Sequence, residues 1–385
     1  IDKNFKNMKN LRISIIGDGL TGLVTALSMA NLNLKVDIYC KNILNNNKKD
    51  NRVTAVSQSN LDFLNKEIKF SKKLFYQCKA MNLFHEFKSK QYNFLNYSDE
   101  DKNLVYIFEN SKIRNFLIKR IKTKKNINIF DKNISLINSE KTEIKYNNVT
   151  KPYDLIILCL GKYSKLYENL VSKRSIKKNT GEVAVTALVR HNKKIDSAMQ
   201  YFLNEGPFAI LPFKDNYFSV VWTLNKNFYK KNFSNIKKII HNKINSFLKT
   251  KIEIKDFKSF PVNLDLKTKY FKKNTLVLGE GIHSIHPIAG QGFNLVLRDI
   301  KKLNDLIKEK LNLGLQIKNS SLLNDFYNLR KPENIILGLG VEMTNSFFKS
   351  SKLLDPIKNI ALKNIGKNFF IKRFSQIVSD KGLIF

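Results

Sequence analysis

The sequence predicts an α/β fold in which a nucleotide-binding domain is assembled from separated segments, with an antiparallel sheet between them and a helical region at the C-terminus. Two observations carry this expectation. Short apolar runs of the kind that form buried parallel strands stand near both ends of the chain, each leading through a glycine-rich turn into a helix-periodic stretch. The middle of the chain instead alternates in polarity and is rich in β-branched and aromatic residues, as an antiparallel sheet requires.

The elements follow in order. "LRISII", residues 11 to 16, is a buried-strand run that enters "GDGLTG" and then the helix-periodic "LVTALSMANLNL". "KVDIYC", residues 35 to 40, supplies the next strand, so the chain opens on a βαβ unit. A helical region with loops is expected after it, and "DLIILCLG", residues 154 to 161, is another buried strand ending in glycine. Residues 182 to 224 carry the alternating block, and a lysine-rich helix is expected near 235 to 250. The strand "NTLVLGEG" at 274 to 281 precedes a helix running to about residue 311, and the tail from about 320 is amphipathic and helical, with breaks expected at Pro332 and Pro356. The expected boundaries are 9–80, 106–175 and 270–325 for the nucleotide-binding domain, 81–105 and 176–269 for the second domain, and 326–385 for the helical region.

Composition narrows the function classes. With 385 residues and 43% hydrophobic content the chain can bury a large core. Its 68 Lys and Arg against 32 Asp and Glu give a formal charge of +36. Lysine is scattered together with Asn, Ile and Phe and forms no compact Arg-rich block, so the excess reads either as compositional bias or as an anion-facing surface, without a nucleic-acid motif. Cys40, Cys78 and Cys159 are far apart and suggest neither a disulfide framework nor a zinc site, which fits a reducing cytoplasm. The opening "IDKNFKNMKN" lacks an apolar signal core, and Met8 reads as an initiator with residues 1 to 7 as an extension. No uncharged apolar run reaches eighteen residues, so no membrane span is expected.

Two motifs carry the chemistry. Gly17, Gly19 and Gly22 have G-x-G-x-x-G spacing directly after a strand and before a helix. The first allows the tight turn, the second lets a pyrophosphate approach the backbone, and the third lets strand and helix pack closely, while the helix N-terminus offers unpaired N–H groups. The acidic residue usual at the end of the second strand is replaced by Cys40; Asn42 could offer a substitute hydrogen bond, and Asp37 lies within the strand. The second motif is "GEGIHSIHPIAGQGFNLVLRD", where small residues enter a helix whose first N–H groups, from Gly292, Phe293 and Asn294, suit a ligand that becomes anionic, such as a reduced flavin. His283 and His286, three apart with no third ligand in view, read as residues that structure the loop, not as a metal site.

These glycines, with Gly279 and "HSIHPIAGQGFNLVLRD", resemble the class A flavin monooxygenases, and "HPIAGQGFNL" is similar in particular to the ubiquinone-biosynthesis aromatic-ring hydroxylases. "DNRVTAVSQSNLDFL", "ENSKIRNFL", "GEVAVTALVRH", "GPFAILPFKDNYFSVVWT" and "LLNDFYNLRKPEN" resemble further family segments, so the likeness runs from about 11 to 383. It implies a Rossmann-like FAD-binding domain built from separated segments, an antiparallel substrate sheet and a C-terminal helical region. It further implies that Arg52 and Asn110 contact the flavin, that Glu280 holds the ribityl chain in place of the family's Asp, and that Pro287 lines the reactive face of the ring. Gly290, Gln291, Gly292, Phe293 and Asn294 would cradle the pyrimidine, and Gly161 belongs to the family's Asp-Gly motif, which here reads Leu160-Gly161 with Ser164 retained and Tyr167 in place of an Arg.

By the same resemblance the reaction uses NAD(P)H to reduce FAD and O₂ to form a C4a-hydroperoxide that hydroxylates an electron-rich ring, with Pro287, Gly292, Phe293 and Asn294 at the reacting centre. The substrate implied is a polyprenylated phenol of ubiquinone biosynthesis. A bilayer-borne substrate implies a cytoplasmic protein peripheral on the inner membrane, in the company of other ubiquinone-biosynthesis proteins; nucleic acid is not an expected partner. Two alternatives stand beside this one. They are a non-catalytic flavoprotein-fold scaffold, motivated by Cys40 and Leu160, and a flavin oxidoreductase that does not hydroxylate.

Overall fold

The computed structural model describes residues 11–41, 50–98, 103–162, 164–167, 170, 175–318, 321–349 and 355–383. Apolar runs buried on both faces assemble into a six-stranded sheet. Arg12–Ile16 lies inside it, flanked by Lys35–Cys40 and Leu155–Leu158; Ile127–Asp131 lies beyond the former and Thr275–Val277 beyond the latter. These pairings are parallel, and the edge strand Phe271–Lys272 runs antiparallel. Ile13, Ile15, Val36, Ile38, Ile156, Ile157 and Leu276 are fully buried. Helix Leu20–Asn31 packs against this sheet so closely that a Cβ on Gly22 would sit 2.1 Å from the Gly17 carbonyl oxygen. Only glycine fits there.

A second, eight-stranded sheet runs in the order His283–Ser284, Ile252–Lys267, Ser175–His191, Tyr217–Asn225, Gly206–Lys214, Ser197–Leu203, Ala80–Phe87 and Lys90–Ser98. Its neighbours are antiparallel except for Ser197–Leu203 with Ala80–Phe87, which are parallel. Helix Ile236–Leu248 covers one face through Ile236, Ile240, Ile244 and Leu248, a four-residue spacing that places all four on one stripe against Val185, Val189, Phe208, Phe218 and Trp222. The opposite face, with Ala184, Thr186, Leu188, Val221, Phe260 and Val262, is left to line cavities.

Three sequence expectations are corrected. The stretch after residue 41 is not mainly helical. Among the described residues between 41 and 154 it contains two α-helices, Gln58–Ile68 and Asn110–Lys122, and nine strands, among them Val53–Ser57, Tyr76–Cys78, Ala80–Phe87, Lys90–Ser98 and Val105–Glu109. The hairpin at its centre turns through Lys88 and Ser89, both at positive φ (48° and 60°), without the Asn-Gly pair that normally announces such a turn. The strand near 274 to 281 is shorter than expected, Thr275–Val277, and gives way to a 3₁₀ turn at Gly279–Gly281. Pro332 does not interrupt the tail, because helix Ser321–Lys349 runs straight through it. The donor that proline lacks would have served the carbonyl of Asn328, and both residues face solvent, where water can replace it. Pro356, in contrast, sits in the first turn of Asp355–Lys367, where a proline needs no partner.

Asp37 is the fully buried charge within the parallel sheet, and four neighbours converge on it: Arg12 at 2.9 Å, Lys151 at 2.7 Å, the Tyr153 hydroxyl at 2.7 Å and the Asn128 amide at 2.9 Å. Burial alone would raise its pKa, but these donors together hold it below the usual carboxylate value. Asp37 is therefore spent on structure and is not free for a ribose. A carboxyl with a depressed folded-state pKa stabilises the fold above its unfolded value, and that contribution is lost as pH falls through the folded value. Asp37→Asn should thus lose about 3 kcal/mol at pH 7, with the gap from the parent narrowing below about pH 4; urea unfolding at both pH values measures it, and a gap independent of pH would refute the assignment.

Candidate active site

A cavity of about 640 Å³ opens where the parallel strands end and the second sheet begins. Its glycine-rich end follows directly from Arg12–Ile16. Gly17 adopts φ +124°, and a Cβ there would meet the Cys159 carbonyl oxygen at 2.3 Å. Gly19 faces open space, and helix Leu20–Asn31 starts beside it with no side-chain cap and no acid in its first turn, which leaves its first N–H groups to a ligand. Gly22 does not line the cavity; its role is the close packing described above.

Sequence reasoning missed two charged pairs on this wall. Arg114, from helix Asn110–Lys122, reaches Asp18 at 2.8 Å, and both line the cavity. Asp50 holds Arg52 through two bonds of 2.8 Å and accepts from the Asn110 amide at 3.1 Å, so it is the link that brings Arg52 and Asn110 together. The Thr54 hydroxyl donates to the other end of the Asn110 amide. Spacing offered no signal for either acid, since Asp18 reads as a turn residue and Asp50 closes a polar run. Cys40 is buried at the end of its strand, and Asn42 lies outside the described residues.

Gly161 lines the cavity at φ +75° with open space at its Cβ position. The adjacent Leu160 donates its N–H to the Tyr167 hydroxyl at 2.9 Å, and a Cβ on Gly281 would meet the Tyr167 ring at 2.8 Å. Burial pushes the Tyr167 hydroxyl pKa upward, so it stays protonated. Gly279, at φ +82°, packs on Thr21 outside the cavity, while the exposed Glu280 lines it.

The loop before helix Gln291–Asn312 brings Pro287, Gly290, Gly292 and Phe293 to the cavity. Gly290 caps that helix at φ +65°, in contact with Ala55, and the Cβ direction of Gly292 is open. Two residues of the motif turn their side chains elsewhere. Gln291 donates to Ser379 Oγ at 2.9 Å. Asn294, 3% exposed, accepts from the Ser57 N–H at 3.0 Å and the Asn60 amide at 2.8 Å and donates to the carbonyls of Ala55 at 3.1 Å and Gly290 at 3.0 Å. His283 and His286 are buried behind the loop: His283 pairs with Asp299 at 2.6 Å, and His286 Nε2 lies 3.3 Å from Glu182.

The far wall comes from the second sheet and the strands beside it. Met81, Val105, Ala198, Met199, Gln200, Ala209, Leu211 and Val221 face the glycine-rich side. A smaller cavity of about 260 Å³ shares Arg52, Val53, Val221, Ile285 and Pro287 with the first and continues along Ala184, Thr186, Leu188, Ser219, Phe260 and Val262. One end of the space is thus a polar glycine cradle and the other a largely apolar sheet face.

Known proteins resemble this chain in sequence and in fold. A family model described as squalene epoxidase matches residues 221–367. The mitochondrial ubiquinone biosynthesis monooxygenase COQ6 of Dictyostelium discoideum is 23% identical over 91% of this chain and 87% of its own. The 3-demethoxyubiquinol 3-hydroxylase of Escherichia coli is 27% identical over 44% of each chain. Among solved structures, p-nitrophenol 4-monooxygenase of Pseudomonas putida superposes with a TM-score of 0.79 at 12% identity, covering 97% of this chain and 99% of that one. HpxO of Klebsiella pneumoniae, complexed with FAD and uric acid, gives 0.72 at 13% identity, with 96% and 97% covered.

The chain has the Rossmann-like fold of FAD-dependent monooxygenases. Its sequence relatives are the ubiquinone-biosynthesis hydroxylases.

The four bonds of Asn294 tie the cradle to strand Val53–Ser57. Replacing Asn294 by Ala leaves the Ser57 N–H and the Ala55 carbonyl unpaired in the interior, an expected loss of roughly 2–4 kcal/mol. Denaturant unfolding of Asn294→Ala measures this, and a loss below about 0.5 kcal/mol, the size expected at an ordinary surface site, would contradict the role.

Proposed function

We propose that this chain hydroxylates the aromatic ring of a polyprenylated phenol in ubiquinone biosynthesis, using FAD, O₂ and NAD(P)H. The observation that carries the reading is the two-sided cavity, with open glycine positions on one wall and a sheet face of apolar side chains on the other. FAD fits the first wall: the Cβ directions of Gly19, Gly161 and Gly292 are empty where a cofactor needs close approach to backbone. Bound there, FAD supplies hydride acceptance and oxygen activation.

The chain's own residues do the rest. In this reading the Gly17–Gly19 turn and the helix N-terminus hold the pyrophosphate, and Arg114 adds positive charge beside it. Glu280 takes the ribityl hydroxyls, and Asp50 presents Arg52 and Asn110 to the edge of the ring system. The N–H groups of Gly292, Phe293 and Asn294 lie at the N-terminus of a 22-residue helix, whose dipole favours negative charge on the pyrimidine. Pro287 lies where the two cavities meet, so it borders both the ring and the substrate. Ala184, Leu188, Val221, Phe260 and Val262 keep the reacting space dry, and the hydroxyls of Thr186 and Ser219 are polar points against which a phenol can be oriented.

In this reading 9–80, 106–175 and 270–325 form the FAD-binding domain, 81–105 and 176–269 the substrate domain and 326–385 the helical region, with strand His283–Ser284 of the first set crossing into the eight-stranded sheet. A polyprenylated substrate resides in lipid, so the enzyme is placed peripherally on the inner-membrane surface near other ubiquinone-biosynthesis proteins. Among the described residues no helix is long and apolar enough to cross a membrane.

The test is the absorbance spectrum of the purified protein, then anaerobic NADH and NADPH, then ¹⁸O₂ with a short-chain prenylphenol. Flavin that bleaches and one labelled oxygen atom in the product are expected. Failure to bind added FAD would leave the scaffold alternative, and bleaching without label would leave the non-hydroxylating oxidoreductase. Arg114→Ala should weaken FAD about ten-fold, in line with the loss of one charge-assisted hydrogen bond; fluorescence titration of the apoprotein measures it.

A further inference from the structure

The two terminal helices, Asp355–Lys367 and Phe369–Lys381, combine apolar exposure with concentrated positive charge. Ile357 is 64% exposed, Ile360 62% and Phe370 81%, in a chain that buries most of its large apolar residues. Along the first helix Ile357, Ile360, Lys363, Asn364 and Lys367 are all exposed, and their spacing of three and four residues puts them on one arc. Leu362, on the opposite side, is buried. The second helix then presents Phe370, Ile371 and Arg373 to solvent in its first turns.

Between residues 355 and 381 the chain carries six Lys and Arg (Lys358, Lys363, Lys367, Lys372, Arg373 and Lys381) and two acids, Asp355 and Asp380. Asp380 is turned inward and accepts from the Ser59 N–H at 2.9 Å, so it does not neutralise the outer arc. Isoleucine and phenylalanine ringed by cations match the interfacial region of an anionic bilayer, where apolar side chains enter the acyl boundary and each cation meets a lipid phosphate. A second copy of the chain is disfavoured as occupant, because two surfaces of a protein with formal charge +36 repel each other.

We propose that the outer arc of these two helices docks the protein on an anionic lipid surface, through Ile357, Ile360, Phe370 and Ile371 with Lys363, Lys367 and Arg373. This surface lies outside the active-site cavity, and the proposal does not depend on which ring is hydroxylated.

The test is co-sedimentation of the full chain with vesicles of phosphatidylcholine, with and without 30% phosphatidylglycerol, at about 50 and 500 mM salt. Binding to the anionic vesicles that weakens at high salt is expected, with little binding to phosphatidylcholine alone. The triple variant I357S/I360S/F370S should lose at least ten-fold in partitioning, and Lys363→Glu with Lys367→Glu should lose about five-fold per cation at low salt. Melting temperature and FAD retention close to the parent's show that the variants remain folded. Parent-like binding by folded variants, or no binding by the parent, would overturn the proposal. So would dimerisation in sedimentation velocity that the triple variant abolishes, since the arc would then belong to a second copy.

Discussion

The candidate site depends on the side chain of Asn294. A primary amide offers two donor and two acceptor positions, and here all are used across three segments: the end of strand Val53–Ser57, the start of helix Gln58–Ile68, and the turn that launches helix Gln291–Asn312. None of these contacts is local in sequence except the one to Gly290. The motif residue that looks most like a ligand contact therefore does its work in the opposite direction, fixing where the neighbouring N–H groups point. Preorganised donors stabilise developing charge without reorganising at the moment of reaction, and an amide buried with every position filled is a rigid way to achieve that.

The other end of the same loop is held by a different chemistry. Asp299, fully buried, receives His283 at 2.6 Å, Arg330 Nε at 2.7 Å and the Asn334 amide at 3.1 Å. Burial would raise its pKa, but Arg330 and His283 hold it low. Arg330 also pairs with Glu333 one turn along its own helix. Such a cluster is costly to desolvate and contributes less to stability than to specificity, and what it specifies is the docking of helix Ser321–Lys349 against helix Gln291–Asn312. Between the two anchors His286 is buried, and desolvation pushes its pKa down to about 4, so it is neutral at physiological pH. The loop carrying Pro287 is thus fixed at its start by an ion cluster, in its middle by packing, and at its end by an amide.

Periodicity made the parallel sheet legible, because Ile13 to Ile16 and Leu155 to Leu158 have no alternative but burial on both faces. The glycine cradle was legible for a similar reason: Gly17 and Gly22 sit where any Cβ would collide with backbone, so the sequence must mark them. The strands between Tyr76 and Ser98 were not legible, since their hairpin takes Lys88-Ser89 through a turn that glycine and asparagine normally occupy. The small hairpin of Glu143–Tyr146 and Val149–Pro152 was not legible either, although Asn147-Asn148 at its turn takes positive φ as such turns require. Asp18, Asp50 and Arg114 stayed hidden because their significance is tertiary. Asp18 and Arg114 meet at 2.8 Å across 96 residues of sequence, and Asp50, which pairs with Arg52 two residues on, also reaches Asn110 60 residues away.

The replacements at Leu160 and Tyr167 look independent in sequence and are coupled in space. The Tyr167 hydroxyl accepts the Leu160 N–H, while its ring occupies the space over Gly281 that a side chain there would need. This corner is neutral, hydrogen-bonded and apolar, which keeps the backbone of Leu160-Gly161 in place and puts no charge of its own into the cavity. Positive charge at the polar end is then supplied by Arg114 and Arg52, each already paired with an acid, so the cradle is close to neutral before any ligand arrives. A dianionic pyrophosphate entering such a site gains most from backbone N–H groups and the helix dipole, which no acid in the first turn of Leu20–Asn31 opposes. In the proposed reading the binding energy rests on backbone geometry, and Gly17 and Gly22, where a Cβ would collide with backbone, are the residues least open to change.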